Sequence, residues 1–196
     1  MKSLLYAVPF ITAVLQAAPV GATNGSKLPY TFEQNQGQTD RSVRYLARGS
    51  GYSLYLTGRE AVLSLQRPGE APRAVRMSLG GSRAPRAIEP LDPLAQRTNY
   101  FVGQDPARWR RDVPHYSRVR YRGVYAGIDL VYHSQEGQLE YDFVVSPGAS
   151  ADAIRLRFEG VSGTRITGEG DLELKIGDST LRHQAPVAYQ EIGGRH

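Results

Sequence analysis

Residues 127–148 read GIDLVYHSQEGQLEYDFVVSPG, and this stretch decides the fold. Apolar and polar side chains alternate along 128–132 and again along 139–145, the period of two that is typical of strands with one buried face. A short polar run separates the two segments. The stretch therefore predicts an antiparallel hairpin with a tight turn.

The pairing of this hairpin follows from its apolar residues. Both apolar sets must face the same core, and a slip of one residue would bury the acids, so paired residue numbers must sum to an odd number. We predict a sum of 271, which pairs Leu130 with Tyr141 and places Asp129 opposite Asp142. This pairing leaves a turn centred on residues 135–136, or a four-residue loop over residues 134–137.

The same alternation recurs along most of the chain. It runs through Val43–Leu46, Tyr52–Leu56, Val75–Leu79, Val119–Tyr121, Ile154–Phe158 and Leu172–Ile176. Gly, Pro, Asp and Ser punctuate the gaps, and we predict only two single helical turns, at 105–109 and 150–153. The sequence therefore predicts an all-β domain, an antiparallel β-sandwich.

The chain also echoes itself. The segment that begins at Ser42 matches the segment that begins at Arg118 at an offset of 76, with identical Val, Arg, Tyr, Gly and Leu residues at several positions. Near the end of each segment the offset becomes 79. We predict two tandem related four-stranded units over 42–81 and 118–160, because strand alternation explains matching apolar residues but not aligned glycines.

The first 22 residues have the order of a secretory signal peptide. Lys2 precedes the apolar run Leu4–Leu15, and small residues then lead to Ala22. We predict cleavage after Ala22, a flexible lead-in over 23–28, and one β domain over 29–196. A buried N-terminal helix is the alternative. The run is too short and too interrupted for a transmembrane helix, so the prediction is a protein exported by the Sec route and secreted or held at the cell surface.

The amino-acid composition excludes some kinds of catalytic and metal site. The chain has no cysteine, which excludes thiol catalysis and cysteine-metal sites. Its formal net charge is +5, and a basic surface can attract polysaccharide, lipid headgroups or nucleic acid. The arginines alternate with apolar residues rather than forming a cluster, so we interpret them as solvated strand faces and predict no nucleic-acid partner.

Three acids in the opening hairpin are candidates for a site. Asp129, Glu140 and Asp142 could be the acid and base of a carbohydrate-active hydrolase, or ligands of Ca²⁺, or partners of arginines on a neighbouring strand. We favour ion pairs with arginines, the candidates being Arg118, Arg120 and Arg122. The acids align with Ser53, Ser64 and Gln66 in the first unit, so the fold of the unit does not require them.

The other candidates are aromatic or basic. Trp109, the single tryptophan, is a plug over the edge of the core or a platform for stacking a sugar, and we favour the plug. His115, His133 and His183 lack metal-ligand spacing and are interpreted as ordinary surface or turn residues. The usual catalytic motifs are absent, so the predicted candidate surface site is Asp129, Glu140, Asp142 and Trp109, with no cofactor.

Three groups of residues resemble a known family. Phe32-Glu-Gln-Asn35-Gln-Gly37-Gln38 is similar to its opening motif, and Asn99-Tyr-Phe-Val-Gly103-Gln-Asp105 with Trp109 and Val113-Pro114 is similar to its central motif. The longest motif is matched by Tyr125–Tyr132, Leu139–Phe143 and Pro147-Gly148. The family is the uncharacterised N-terminal module that precedes SBBP (β-propeller) repeats in exported bacterial proteins.

The resemblance implies a mostly β protein that is secreted or at the cell surface, and it supplies no catalytic residue. The predicted function is a non-enzymatic module that presents or caps repeats, or binds an extracellular partner, with polysaccharide among the candidates. A carbohydrate-active hydrolase that uses the three acids is the alternative. The family's module continues beyond the strand near Tyr189, so we predict that this chain is C-terminally truncated and associates through the edge at 187–192.

Overall fold

The structure is a computed structural model that describes residues 8–17, 31–49, 51–66, 69–135 and 138–191. The structure is nearly all β, with 61% strand and 4% helix, which confirms the all-β prediction. The strands are β1 (Val8–Ala17), β2 (Phe32–Gln34), β3 (Val43–Gly49), β4 (Tyr52–Thr57), β5 (Glu60–Leu65), β6 (Arg73–Leu79), β7 (Ile88–Tyr100), β8 (Arg110–Tyr125), β9 (Ile128–Gln135), β10 (Gln138–Val145), β11 (Leu156–Glu159), β12 (Gly163–Ile166), β13 (Leu172–Ile176), β14 (Ser179–His183) and β15 (Val187–Glu191).

Two single-turn 3₁₀ helices, η1 (Pro106–Arg108) and η2 (Ala151–Ala153), lie at the two positions predicted for helical turns. The side chain of Asp105 accepts a hydrogen bond from the backbone of Ala107, and Pro106 follows it, so the N-terminal capping that the sequence indicates is present. In the described part of the chain, no helix has the length and apolar composition needed to cross a membrane.

The strands pair in the order β11-β6-β5-β4-β3-β2-β8-β9-β10-β1-β14-β13-β12, with β7 beside β8 and β15 beside β1. Every strand pair that the structure describes is antiparallel, as predicted. Much of the structure is a sheet curled into a half-barrel, which a second, small sheet accompanies. The short strand β2 joins the first half of the molecule to the second because it pairs with both β3 and β8.

The curled sheet encloses its core between two layers. Leu54, Leu56 and Met77 of the first half pack in one cluster with Tyr132 and Tyr141 of the second half. A smaller cluster joins Leu63 and Val75 to residues of β13 and β14. Burial of this apolar surface is the main stabilising contribution, and it follows directly from the alternation in the sequence.

The two echoing segments share a three-stranded meander. β3, β4 and β5 are consecutive neighbours in the sheet, and so are β8, β9 and β10. The fourth strands differ: β6 pairs with β5, whereas β11 pairs with β6 and is not paired with β10. The echo therefore describes a three-stranded meander, not the same four-stranded order in both halves.

The fourth strands nevertheless meet in a regular way. Ser78 of β6 pairs with Arg157 of β11, and these two residues are also counterparts at the offset of 79. When two equivalent strands pair in the antiparallel sense and the central pair joins equivalent residues, a local two-fold axis relates the strands. The duplication itself remains a prediction.

The predicted hairpin register is wrong by two residues. Leu130 pairs with Phe143 and Tyr132 with Tyr141, so the paired numbers sum to 273 rather than 271. The parity is as predicted, because an even sum would have turned the apolar face of one strand to the outside. Asp129 lies opposite Val144, and Asp142 lies opposite Val131, so the two acids do not face each other.

The register also corrects the comparison of the two hairpins. In the first hairpin Leu54 pairs with Leu63, and in the second Leu130 pairs with Phe143. β9 and β10 are eight residues long, whereas β4 and β5 are six. Residues of the second strand of each hairpin therefore no longer correspond at the offset of 76. Asp129 remains the counterpart of Ser53. By strand pairing, Glu140 and Asp142 correspond to Glu60 and Val62 rather than to Ser64 and Gln66.

The segment predicted as a signal peptide contributes a strand. β1 pairs with β10 on one edge and with β14 and β15 on the other. The region is therefore a strand here and not the alternative N-terminal helix. The rest of residues 1–22, the lead-in at 23–28 and residues 192–196 lie outside the described residues, and the predictions of cleavage and truncation remain predictions.

Candidate functional site

Asp129 lies at the start of β9 and fastens a bulge in β8. The pairing of β8 with β9 shifts between Tyr121 and Tyr125, and Gly123 within this interval has φ of +66°, a conformation that favours glycine. The Gly123 N–H donates to Asp129 Oδ1 at 2.7 Å, and Arg120 Nε lies 4.0 Å from Oδ2. This carboxylate therefore holds the backbone of its own sheet.

Glu140 and Asp142 lie on the face of β10 that points away from the core, beside His133 of β9. The distance from His133 Nε2 to Asp142 Oδ2 is 3.0 Å, and the distance from Nδ1 to Glu140 Oε2 is 4.0 Å. The three side chains are largely buried. Asp142 Oδ1 is buried and has no hydrogen-bond partner among the described residues.

The prediction of arginine partners is correct for one acid. Arg120 approaches Asp129, but Arg118 pairs with Asp92 and Arg122 pairs with Glu89. Glu140 and Asp142 lie beside His133. The sequence offered no reason to choose this histidine, because its closeness depends on the hairpin register.

Among the described residues, neither a metal site nor the larger cavity involves these acids. The described residues include no group of three His, Cys, Asp or Glu side chains that could hold a metal ion. A cavity of about 240 Å³ lies elsewhere, between the turn at Gly58–Glu60 and residues 82–85, and its lining includes none of the three acids. The arrangement at 129–142 resembles a stabilised strand surface more than a binding cleft.

A second candidate surface is the loop of residues 101–111, called here the aromatic loop. Phe101 and Val102 are 58% and 68% exposed, among the largest apolar exposures that the structure describes. The Phe101 and Trp109 rings meet edge to face with centroids 5.1 Å apart, and the Arg111 guanidinium lies 5.6 Å and 5.7 Å from the two ring centres. Exposed apolar side chains beside a cation are typical of interaction surfaces.

Local hydrogen bonds fix the conformation of the aromatic loop. Trp109 Nε1 donates to the Gly103 carbonyl at 3.1 Å, and η1 is capped by Asp105. Arg110 Nε donates to the Gln36 carbonyl at 2.7 Å, which ties the loop to the segment after β2. Gly37, beside Arg110, has φ of +102°, a backbone conformation that favours glycine. A loop held in this way presents its apolar side chains at low entropic cost.

A charged network supports the base of the loop. Tyr100, the last residue of β7, donates a hydrogen bond to Glu33 of β2, and Arg48 of β3 donates to the Tyr100 hydroxyl at 3.2 Å. Arg48 Nε also lies 3.5 Å from Glu33 Oε1. Burial and then the bond to Glu33 raise the pKa of Tyr100, so the phenol stays protonated at neutral pH.

His115 forms a second buried polar group next to this network. Its Nδ1 is 2.7 Å from the Thr31 hydroxyl and its Nε2 is 2.7 Å from the Thr98 hydroxyl. Burial lowers the pKa of His115, which favours the neutral ring. A neutral imidazole between two hydroxyls satisfies all its hydrogen bonds, which indicates a structural role.

The structure therefore divides the predicted site. Asp129, Glu140 and Asp142 lie together on the β9–β10 hairpin, while Trp109 precedes Arg110 at the far end of β8 from Gly123. Trp109 packs on Phe101 rather than on the main core, so the predicted plug is not formed.

The interpretation of the histidines is wrong for two of them, because His115 and His183 are buried. His183 is hydrogen-bonded to the hydroxyl of Tyr141 in the core. No motif in the sequence indicated either contact. The only signal was the position of His115 and His183 on the apolar side of alternating strands.

The fold and the two surfaces define an antiparallel β module with a hydrogen-bonded, exposed aromatic loop and with three acids on one hairpin. The chain matches the domain of unknown function DUF7948 over residues 32–196 and belongs to that family. The motif residues named above include the loop-forming Gly37, Asp105 and Trp109 and the bulge-fastening Asp129, so their positions have structural reasons. No curated protein and no solved structure matches the chain.

Proposed function

We propose that this chain is an exported, non-enzymatic β module that binds a protein partner outside the cell through its aromatic loop. The observation that carries the proposal is the exposure of Phe101 and Val102 on a loop whose conformation is fixed by Trp109 and Arg110. A rigid apolar patch with a neighbouring arginine suits a protein surface better than a sugar, because the indole N–H is already used within the loop.

Export is supported by the sequence of residues 1–22, which has the charged, apolar and small-residue regions of a leader. The resemblance to modules that precede SBBP repeats supports a place at the cell surface, where the module would present or cap such repeats. The aromatic loop then supplies the contact that a capping or presenting module needs.

The hydrolase alternative is less well supported. A glycosidase needs two carboxyl groups on opposite sides of a bound sugar. Asp129 is engaged by Gly123 and Arg120, and Asp142 lies against His133 in the same sheet surface. A hydrolysis screen on a glycan array provides the test. Turnover that disappears in Asp142→Asn would overturn the proposal in favour of an enzyme.

The binding test compares two surfaces of the same protein. Fluorescently labelled chain is titrated onto washed cell envelopes of the producing bacterium, and Phe101→Ser/Val102→Ser is expected to weaken saturable binding by about tenfold or more. Ile166→Ser is the matched control, because Ile166 is 72% exposed on β12, away from the loop. Prior protease treatment of the envelopes should abolish binding.

The result is informative only if both variants remain folded. Urea unfolding should shift by less than about 0.5 kcal/mol in each, because the replaced side chains are exposed. Equal binding by the loop variant and the control would contradict the proposal, and so would binding that survives protease but not removal of glycans. Export is tested separately by the mass of the secreted chain, which should begin at Thr23.

A further inference from the structure

The edge of β10 is completed by the segment that export would remove. Residues Phe10–Leu15 of β1 pair with Val144–Leu139 of β10, and the opposite edge of β1 pairs with β14 and β15. β1 is thus an interior strand of the sheet. Yet it lies wholly within residues 1–22, which the sequence marks as a leader.

Removal of the leader would open a slot one strand wide. The backbone N–H and C=O groups of β10 on that side, and those of β14 and β15, would lose their partners. The core face of β10 consists of Leu139, Tyr141, Phe143 and Val145, all of them buried in the complete sheet. An unpaired strand edge flanked by these apolar residues favours the binding of an extended polypeptide segment.

The strand that follows β10 in the chain does not fill the slot. In the first half of the molecule the second edge of β5 is taken by β6, the next strand along. In the second half β11 pairs with β6 instead, and the second edge of β10 is left to β1. The missing neighbour must therefore come from elsewhere once β1 has been removed.

From this we infer that the exported, leader-free chain takes up an extended strand of a partner protein in the β10 slot, antiparallel to β10. The inference rests on the proposed export. The register sets the chemistry of the partner strand. In the register of the sheet, Leu139, Tyr141 and Phe143 pair with Leu15, Ala13 and Ile11 of β1, so these positions of the partner strand take apolar residues.

The position opposite Asp142 takes a cation or another hydrogen-bond donor. Thr12 of β1 occupies it in this structure. Asp142 Oδ1 is buried and lacks a hydrogen-bond partner in the described part of the chain, so a lysine or arginine on the incoming strand would satisfy it. The preference for a cation or a donor opposite Asp142 distinguishes the proposed partner strand from a purely apolar peptide.

The first experiment measures directly whether the open edge of β10 binds an extended strand. A specific protease site is inserted after Gly25, the full chain is folded and then cut, and a labelled peptide VPFITAVLQA (residues 8–17) is added. We expect the peptide to exchange with the leader fragment and to protect the amides of Leu139–Val144 from hydrogen exchange. The control peptide carries Thr12→Pro and Ala13→Pro, which removes adjacent N–H donors and should not exchange.

The chemistry of the partner strand is tested with two further peptides. Thr12→Lys should bind the cut chain about threefold or more tightly than Thr12→Glu, and the difference should shrink when the chain carries Asp142→Asn. Equal binding of both peptides by the unsubstituted chain would overturn the assignment of a basic residue to this position.

The remaining outcomes are equally decisive. Failure of VPFITAVLQA to exchange at about 1 mM, with Leu139–Val144 still protected after the leader fragment is washed away, would overturn the slot. If the cut chain precipitates, rescue by this peptide but not by the proline peptide supports the slot, and equal precipitation overturns it. Concentration-dependent dimers without peptide would show that a second copy fills the slot, and would overturn the partner assignment.

The native occupant is tested on chain secreted by the producing bacterium. A second polypeptide should co-purify with leader-free chain, and stripping it should expose Leu139–Val144 to exchange. A lone processed chain with these amides protected would overturn the inference. Secreted chain that retains residues 1–22 would instead overturn the export step, while the peptide experiments still decide whether the slot accepts a strand.

Discussion

The hairpin of β4 and β5 and the hairpin of β9 and β10 present similar faces to the core and different faces to the outside. Leu54 and Leu130 are counterparts, and both are buried in the same cluster. The outer face of the first hairpin carries Ser53, where the second carries Asp129. The inner faces are set by the need to bury apolar surface, whereas the outer faces are free to diverge.

The two hairpins differ most in what lies beside them. The first is flanked by β3 and β6, its neighbours in the chain, while the second is flanked by β8 and by β1 from the far N-terminus. The second hairpin is also two residues longer per strand and carries His133 between its acids. The comparison teaches that a shared core pattern does not fix edges or outer surfaces, where binding is decided.

The largest expected change in stability comes from substitutions on the inner faces of the two hairpins, and it tests whether these faces are equivalent. Leu54→Ala and Leu130→Ala should each lower the free energy of unfolding by about 2–5 kcal/mol, because each leaves a cavity in the same core. Urea unfolding of the full chain measures the loss, with Thr180→Ala as an exposed control that should change it by less than about 0.5 kcal/mol. A Leu130→Ala loss below about 1 kcal/mol would break the comparison.

The next effect concerns an inner-face difference between the hairpins. Tyr141 of β10 corresponds by pairing to Ala61 of β5, and its hydroxyl is hydrogen-bonded to buried His183. Tyr141→Phe should cost about 1–3 kcal/mol, because the His183 ring nitrogen then lacks its partner. The double variant with His183→Leu should be more stable than the sum of the single losses predicts. Simple additivity would show that the bond contributes little.

A smaller change in stability is expected from substitutions on the outer faces, and it should differ between the two hairpins. Asp129→Ala should cost about 1 kcal/mol, since the Gly123 N–H loses the acceptor that fastens the β8 bulge. Ser53→Ala, the counterpart in the first hairpin, should cost less than Asp129→Ala. Hydrogen exchange at Gly123 should accelerate in the first variant only. Unchanged exchange there would mean that the bulge is held by the backbone alone.

The smallest effect is an acid sensitivity confined to the second half. Burial lowers the pKa of His183 and of His115, so both rings are neutral in the folded chain, while an unfolded histidine titrates near about 6.5. Below that pH the unfolded chain binds more protons than the folded one. The stabilisation is therefore complete above about 6.5 and is lost as the pH falls below it.

The acid test compares unfolding midpoints between about pH 8 and about pH 5, above the range in which carboxyl groups ordinarily titrate. The hydrogen bond from the Ala185 N–H lowers the pKa of the Asp171 carboxyl further, so this group adds no slope. Hydrogen exchange should show that β10 and β14 lose protection before β4. The Tyr141→Phe/His183→Leu variant should have a shallower dependence on pH. A slope that is unchanged in this variant would assign the acid sensitivity to His115 alone.

Most of the fold was predictable because it depends on local pattern. The period of two in segments such as Tyr52–Leu56 and Leu139–Val145 predicted strands, and the parity of the β9–β10 register followed from the need to keep one face apolar. The capped turn at Asp105–Pro106 was equally local. These features depend on residues within a few positions of one another.

The candidate site was only partly predictable. The sequence placed Asp129, Glu140 and Asp142 on the outer face of one hairpin, and the structure agrees, but the neighbour of Asp142 is His133 because the register is 273 rather than 271. Trp109 belongs to a different surface, whose other members, Phe101 and Arg111, gave no distinct signal. Charge and exposure at these positions depend on side chains brought together across strands.

The sequence by itself determined that this chain forms antiparallel strands with one buried face, since alternation forces apolar residues to one side. Only the tertiary structure decided which strands became neighbours. The pairing of β11 with β6, the insertion of β1 beside β10 and the burial of His115 between Thr31 and Thr98 join residues far apart in the chain. Contacts of this kind depend on how the whole sheet curls to bury its core, and no local pattern carries that information.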